Sequence, residues 1–134
     1  MQLLAVLNFP EIGPEDELAT VIIDSIMAND MEIFDGDILV IAQKIVSKSE
    51  DRYVDLDSIR PSEVAEKLAV VVDKDPRLVE VILSESNEIV RYSLGVLIVA
   101  HRLGYVMANA GVDASNLEPT SKGDERVLLL PQDP

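Results

Sequence analysis

Apolar residues recur along this chain with two periods, one of continuous short runs and one of helical spacing. Residues 3–7 form a continuous apolar run ended by Asn8-Phe9-Pro10, which predicts a short buried strand. After a turn at Ile12-Gly13-Pro14, Pro14 fits a first helical turn and Glu15, Asp16 and Glu17 complement the positive end of a helix dipole. Leu18, Val21, Ile22 and Ile26 follow at helical spacing, predicting a helix to about Asn29. The turn Asp35-Gly36-Asp37 precedes Ile38-Leu39-Val40-Ile41, a β-branched-rich run that reads as a strand buried on both faces. Polar residues then gather at its carboxyl end: Gln43, Lys44, Ser47, Lys48 and Ser49. Open α/β sheets bind ligands outside the carboxyl ends of their strands, so this is a place for groups that hold an anion. The plainer reading is a strand that continues with its polar residues facing water.

Further along, residues 55–60 read as a linker into a helix opened by Pro61, with Val64, Ala65, Leu68 and Ala69 as its buried stripe. Asp75 as N-cap and Pro76 at the first helical position start another, carrying Leu78, Val79, Ile82 and Leu83 inward. The two form a helical hairpin. Glu85, Ser86, Asn87 and Glu88 break the pattern, and residues 89–92 and 94–100 suggest one or two further strands. His101 and Arg102 come next. A lone His is more often a structural or surface residue than a ligand, and an Arg in so acidic a chain by default pairs with a carboxylate.

Composition narrows the class. The chain has 134 residues, 48% of them hydrophobic, with mean hydropathy +0.19, so one domain burying roughly two thirds of its unfolded surface is expected. Only 4% of residues are aromatic and none is Trp. The core must therefore come from Val, Ile, Leu and Ala, which favours an α/β fold: a mixed sheet of buried strands with packing helices. The formal net charge of -14 repels phosphate backbones and anionic membranes, arguing against nucleic acid and membrane partners. A nucleotide ligand is still admissible, since a local Lys or a divalent metal inverts the field inside one cleft. With no Cys there is no disulfide or thiolate chemistry, which fits a cytoplasmic setting. No leader pattern opens the chain and no apolar run reaches ~18 residues.

The stretch NAGVDASN, residues 109–116, packs one Gly, two Ala, one carboxylate, one hydroxyl and two carboxamides into eight positions. Gly111 permits backbone conformations closed to its neighbours, while Asp113 and Asn116 can present a carboxylate and a carboxamide to one space. A carboxylate is the hard oxygen ligand that magnesium or manganese takes. By residue type alone such segments are mostly turns.

The motifs LNFPEI, GDILVIAQKIVSKSE, KDPRLVEVILSES and HRLGYVMANAGVDASN, followed by LLLPQDP in that order, resemble those of the coenzyme F-420:L-glutamate ligase (F-420-0:gamma-glutamyl ligase) family over essentially the whole chain. The resemblance implies an enzyme that uses GTP and a divalent metal, manganese or magnesium, with monovalent potassium alongside. It would join L-glutamate to the deazaflavin precursor F-420-0 through an acyl phosphate, forming an amide. Carried over residue by residue, nucleotide contacts fall on Phe9, Pro10, Glu11, Ile12, Gln43, Lys44, Lys48 and Asn116, and the metal-binding carboxylate on Asp113. No GxxxxGK[ST] is present, so the nucleotide is not held by a P-loop.

Two departures bear on this. Family members usually carry Gly where Asn8 stands, and the Gln43-Lys44 position is commonly small and polar. The family's ligase domain is also roughly twice as long, so residues 1–134 are expected to be a single α/β domain equivalent to its N-terminal half. The expected partners are GTP, L-glutamate and F-420-0, a second copy in a homodimer, and a separate C-terminal half. The alternative is a stand-alone nucleotide- or metal-binding module, or an interaction domain without ligase activity. An exposed apolar face is expected where the other half would dock.

Overall fold

A computed structural model describes residues 2–114 and 125–132. Among the described residues four α-helices are mixed with two antiparallel sheets, as the α/β expectation required. It divides into two compact units, residues 1–52 with 131–134 and residues 53–130.

The first unit holds α1 (Leu18–Ala28) and α2 (Gln43–Ser49). The helix expected after Pro14 starts four residues later, because Pro14 is taken into a turn. That turn is closed by the Asp16 N–H on the Gly13 carbonyl at 3.2 Å and by the Gly13 N–H on Asp16 Oδ2 at 2.8 Å. Glu17 then caps α1, its carboxylate accepting from the Thr20 N–H at 2.8 Å and the Thr20 hydroxyl at 2.6 Å. These bonds hold the Glu17 carboxyl below its ordinary range, the Thr20 hydroxyl foremost.

Both strands expected in this unit are corrected. Residues 3–7 and 38–41 join no sheet. Ile38 and Val40, expected to be buried, are 86% and 87% exposed, because no described strand runs beside them. Only Leu7 has a substitute neighbour: its N–H donates to Asn29 Oδ1 at 2.9 Å and its carbonyl accepts from Asn29 Nδ2 at 3.0 Å. The polar stretch after Ile41 is likewise not a strand end but α2, entered through the extended backbone of Ala42. With antiparallel sheets and a helix here, the argument from the carboxyl ends of parallel strands does not apply.

In the second unit, α3 (Glu63–Val72) and α4 (Pro76–Ser84) form the expected hairpin. Ser62 rather than Pro61 opens α3, its hydroxyl accepting from the Ala65 N–H at 3.3 Å while donating to Glu80 Oε2 at 2.6 Å. Asp75 caps α4 with Pro76 at its first position, as the sequence predicts. Strands β2 (Ser86–Ser93), β3 (Val96–His101) and β4 (Val106–Ala108) pair in order, Ile89 opposite Val99 and Val99 opposite Met107. The polar residues 86–88, expected to interrupt the chain, begin β2. One core joins Ala65, Leu68, Ala69 and Val72 of α3 to Val79 and Ile82 of α4 and Leu97 and Val99 of β3.

A second small sheet pairs β1 (Tyr53–Asp55) with β5 (Arg126–Leu128), Val54 facing Val127. It covers a smaller cluster of Leu56, Val81, Val127 and Leu129, so α4 serves both cores from different faces. Arg77 ties these pieces together, bonding Asp75 at 2.7 Å, Asp57 at 2.9 Å and Glu125. Among the described residues no helix is long and apolar enough to cross a membrane.

Candidate functional site

The residues singled out by sequence fall into both units. In the first, Asn8 takes φ of 55°, the left-handed conformation that Gly adopts freely and that Asn tolerates best among other residues. The backbone turn that a Gly would permit therefore forms here with Asn. Phe9 is half-buried, Pro10 and Glu11 are exposed, and Ile12 is buried at 6%.

Gln43, Lys44 and Lys48 are gathered on α2. Four residues apart, Lys44 and Lys48 share one helix face and both are half-buried. Lys48 lies in the last turn, where a cation complements the helix dipole, and forms no ion pair among the described residues. Lys44 does have an interaction partner. Gln43 donates from Nε2 to Ser47 Oγ at 2.6 Å, and Ser47 is fully buried. That bond fixes the Gln43 carboxamide over the first turn, so the helix face is set by packing from within the unit.

In the second unit, β4 runs into three consecutive residues with positive φ: Asn109 at 52°, Ala110 at 52° and Gly111 at 68°. This left-handed turn is closed by the Val112 N–H on the Asn109 carbonyl at 2.9 Å. Ala110 is buried in the main core. A Cβ on Gly111 would meet Leu130 Cδ2 and Cγ at 2.9 Å, so Gly is needed both for its φ and for close approach. Asp113 follows at once, its N–H donating to the Leu128 carbonyl and its carbonyl accepting from the Leu128 N–H, both at 2.9 Å. Its carboxylate thus springs from backbone pinned to β5. Asn116 lies outside the described residues.

Sequence reasoning missed Asn109, whose Oδ1 is buried with no hydrogen-bond partner among the described residues. Nothing in the local pattern distinguishes it from an ordinary turn Asn. Among the described residues no group of three His, Asp or Glu side chains gathers to hold a metal ion. Asp113 and Asn109 nonetheless supply hard oxygen donors of the type magnesium and manganese take.

His101 and Arg102 both have partners within the second unit. His101 is fully buried at the end of β3, with Nδ1 accepting from the Leu103 N–H at 3.0 Å and Nε2 3.5 Å from Glu85 Oε2. Arg102 donates from Nε to the same Glu85 oxygen at 3.1 Å, the carboxylate pairing expected of it. Glu85, read from sequence only as part of a break, is the residue that joins them.

Comparison with known proteins places these features in context. The family model of F420-0:Gamma-glutamyl ligase matches residues 6–134. The coenzyme F420:L-glutamate ligase of Methanothermobacter thermautotrophicus is 40% identical over 134 residues, covering 100% of this chain and 51% of that protein. The one of Methanopyrus kandleri is 44% identical over 124 residues, 92% of this chain and 45% of that protein. That of Natronomonas pharaonis is 38% identical over 140 residues, all of this chain and 51% of its own length. The chain thus spans about half the length of these relatives. With a match that takes in the Phe9–Ile12 segment, α2 and the Asn109–Asp113 turn together, the chain belongs to the F420-0:gamma-glutamyl ligase family.

Proposed function

We propose that this chain supplies the nucleotide- and metal-contacting part of a ligase that joins L-glutamate to F-420-0 at the expense of GTP. The observation that carries the reading is the family match from residue 6 to residue 134, a span that includes every residue expected to contact nucleotide or metal. In the reaction, a carboxylate of F-420-0 attacks the γ-phosphorus of GTP, releasing GDP. The glutamate amine then displaces phosphate from the acyl phosphate, losing a proton as the amide forms.

Such phosphoryl transfer needs positioned positive charge more than covalent help. Lys48 supplies it from a rigid helix face, with Lys44 one turn earlier, and Gln43 and residues 9–12 contact the rest of the nucleotide. Asp113 holds the metal, and the orphaned Asn109 oxygen in the same turn is a donor of the same kind. A bound manganese or magnesium ion contributes neutralisation of the phosphate charge. Asp113 would supply one hard oxygen to such an ion, which takes further oxygen ligands from water and substrate phosphates. The homodimer expected from the family belongs to the same reading and is tested by the sedimentation mass of the whole ligase.

The reading is tested by binding with two variants. Asp113→Ala should abolish manganese dependence of GTP binding without unfolding the chain, whereas Lys48→Ala should weaken GTP by about 10-fold or more and leave guanosine nearly unaffected, as a charged phosphate contact predicts. Equal GTP affinity in wild type and both variants would remove the assignment.

A further inference from the structure

Residues 3–7 and 38–41 are strands by sequence, yet in the structure neither joins a sheet. No backbone hydrogen bond links residues 2–6 or 38–41 to any described residue. The second segment is projected by a closed turn, with the Asp37 N–H on the Phe34 carbonyl at 3.1 Å and the Phe34 N–H on Asp37 Oδ2 at 2.9 Å. At its far end Ala42 locks the chain into α2. Four apolar residues are thus held between two fixed ends with their ladder groups open.

Their side chains are equally uncovered. Ile38, Leu39, Val40 and Ile41 are 86%, 52%, 87% and 39% exposed. Leu3, Leu4 and Leu7 are also exposed. A solvent-facing edge strand alternates polar and apolar residues and carries charges that discourage pairing, whereas a continuous apolar run belongs inside a sheet covered on both faces. The described part of the first unit leaves Ile38 and Val40 almost wholly uncovered.

We infer that residues 3–7 and 38–41 are strands of a sheet completed by polypeptide equivalent to the half of the curated relatives that this chain does not cover. Three observations support that occupant: the apolar, exposed composition of both segments, the open backbone groups, and relatives of which the chain spans 51% and 45%. A β-addition of this kind draws affinity from main-chain hydrogen bonds and specificity from alternate side chains. The inference rests on family membership and not on the ligase chemistry proposed above.

The test joins this chain to the second half of the Methanothermobacter thermautotrophicus relative as one polypeptide and follows amide hydrogen exchange. Amides of residues 3–6 and 38–41 should exchange about 100-fold more slowly in the fusion than in the 134-residue chain, as newly formed ladders require. Ile38→Lys with Val40→Lys should return them to the free rate, while amides of α3 and α4 stay protected. Unchanged exchange in the fusion would overturn the inference. So would protection already present in the 134-residue chain with a dimeric sedimentation mass, which would make a second copy the occupant. Manganese-dependent GTP binding is measured on the same fusion: protection without binding would sink the ligase reading alone, and binding without protection would sink this one.

Discussion

Gly111→Ala probes the turn that delivers Asp113, and the structure sets its cost. Gly111 has φ of 68°, and an added methyl would sit 2.9 Å from Leu130 Cδ2 and Cγ. The left-handed backbone costs an alanine about 1–2 kcal/mol. Relieving the contact means moving a Leu130 side chain that is only 8% exposed, an overpacking of about 1–3 kcal/mol. Against these, Ala restricts the unfolded chain and returns about 0.4–1 kcal/mol. The expected net loss is about 1–5 kcal/mol, read as a lower urea midpoint with unchanged slope in unfolding followed by circular dichroism. Leu130→Ala removes the obstacle, so the double variant should lose at least ~1 kcal/mol less than the sum of the singles. A loss under about 0.5 kcal/mol for Gly111→Ala, or strict additivity in the pair, would refute the claim that close packing fixes this turn.

Asp75 offers a pH test. The Arg77 hydrogen bond holds its carboxyl below the ordinary value of 3.8, so the ionised group stabilises the fold above that value and the contribution is lost as pH falls through the lowered one. Asp75→Asn keeps a capping oxygen but should flatten this acid limb; urea midpoints at about pH 6 and about pH 3 that fall equally in wild type and variant would contradict it. His101→Leu should cost about 1–3 kcal/mol in the same assay, because the Leu103 N–H loses its acceptor and Glu85 loses its neighbour.

Elements with local signals were legible in the sequence. α4 carries its cap and its Pro at adjacent positions, and α1 and α3 show apolar spacing, although Glu17 and Ser62 rather than the nearby prolines start them. The strands β2 and β3 are neighbours joined by a short turn and were also readable. The failures are non-local. β1 and β5 are three residues each and pair across the length of the second unit, so no window of sequence contains their reason for existing. Residues 38–41 have the composition of a buried strand, but a ladder needs a partner and none of the described residues provides it. α2 was misread because Ile45 and Val46 extend the β-branched run, whereas the Gln43–Ser47 bond and the turn-spaced lysines belong to a helix.

The site was legible unevenly. Lys48 and Asp113 were singled out as candidates through motif resemblance, and the structure gives each a fixed backbone: a helical last turn for one and a two-way bridge to Leu128 for the other. The buried oxygen of Asn109 and the Gly111–Leu130 contact depend on residues brought in from β4 and from the segment after β5, which no local pattern announces.

The central claim is that this chain carries nucleotide and metal contacts of an F-420-0:gamma-glutamyl ligase. Its most direct test is calorimetric titration of the 134-residue chain with GTP, in the presence and absence of manganese. The account predicts saturable binding that requires the metal; the absence of binding, or binding indifferent to manganese, would contradict it.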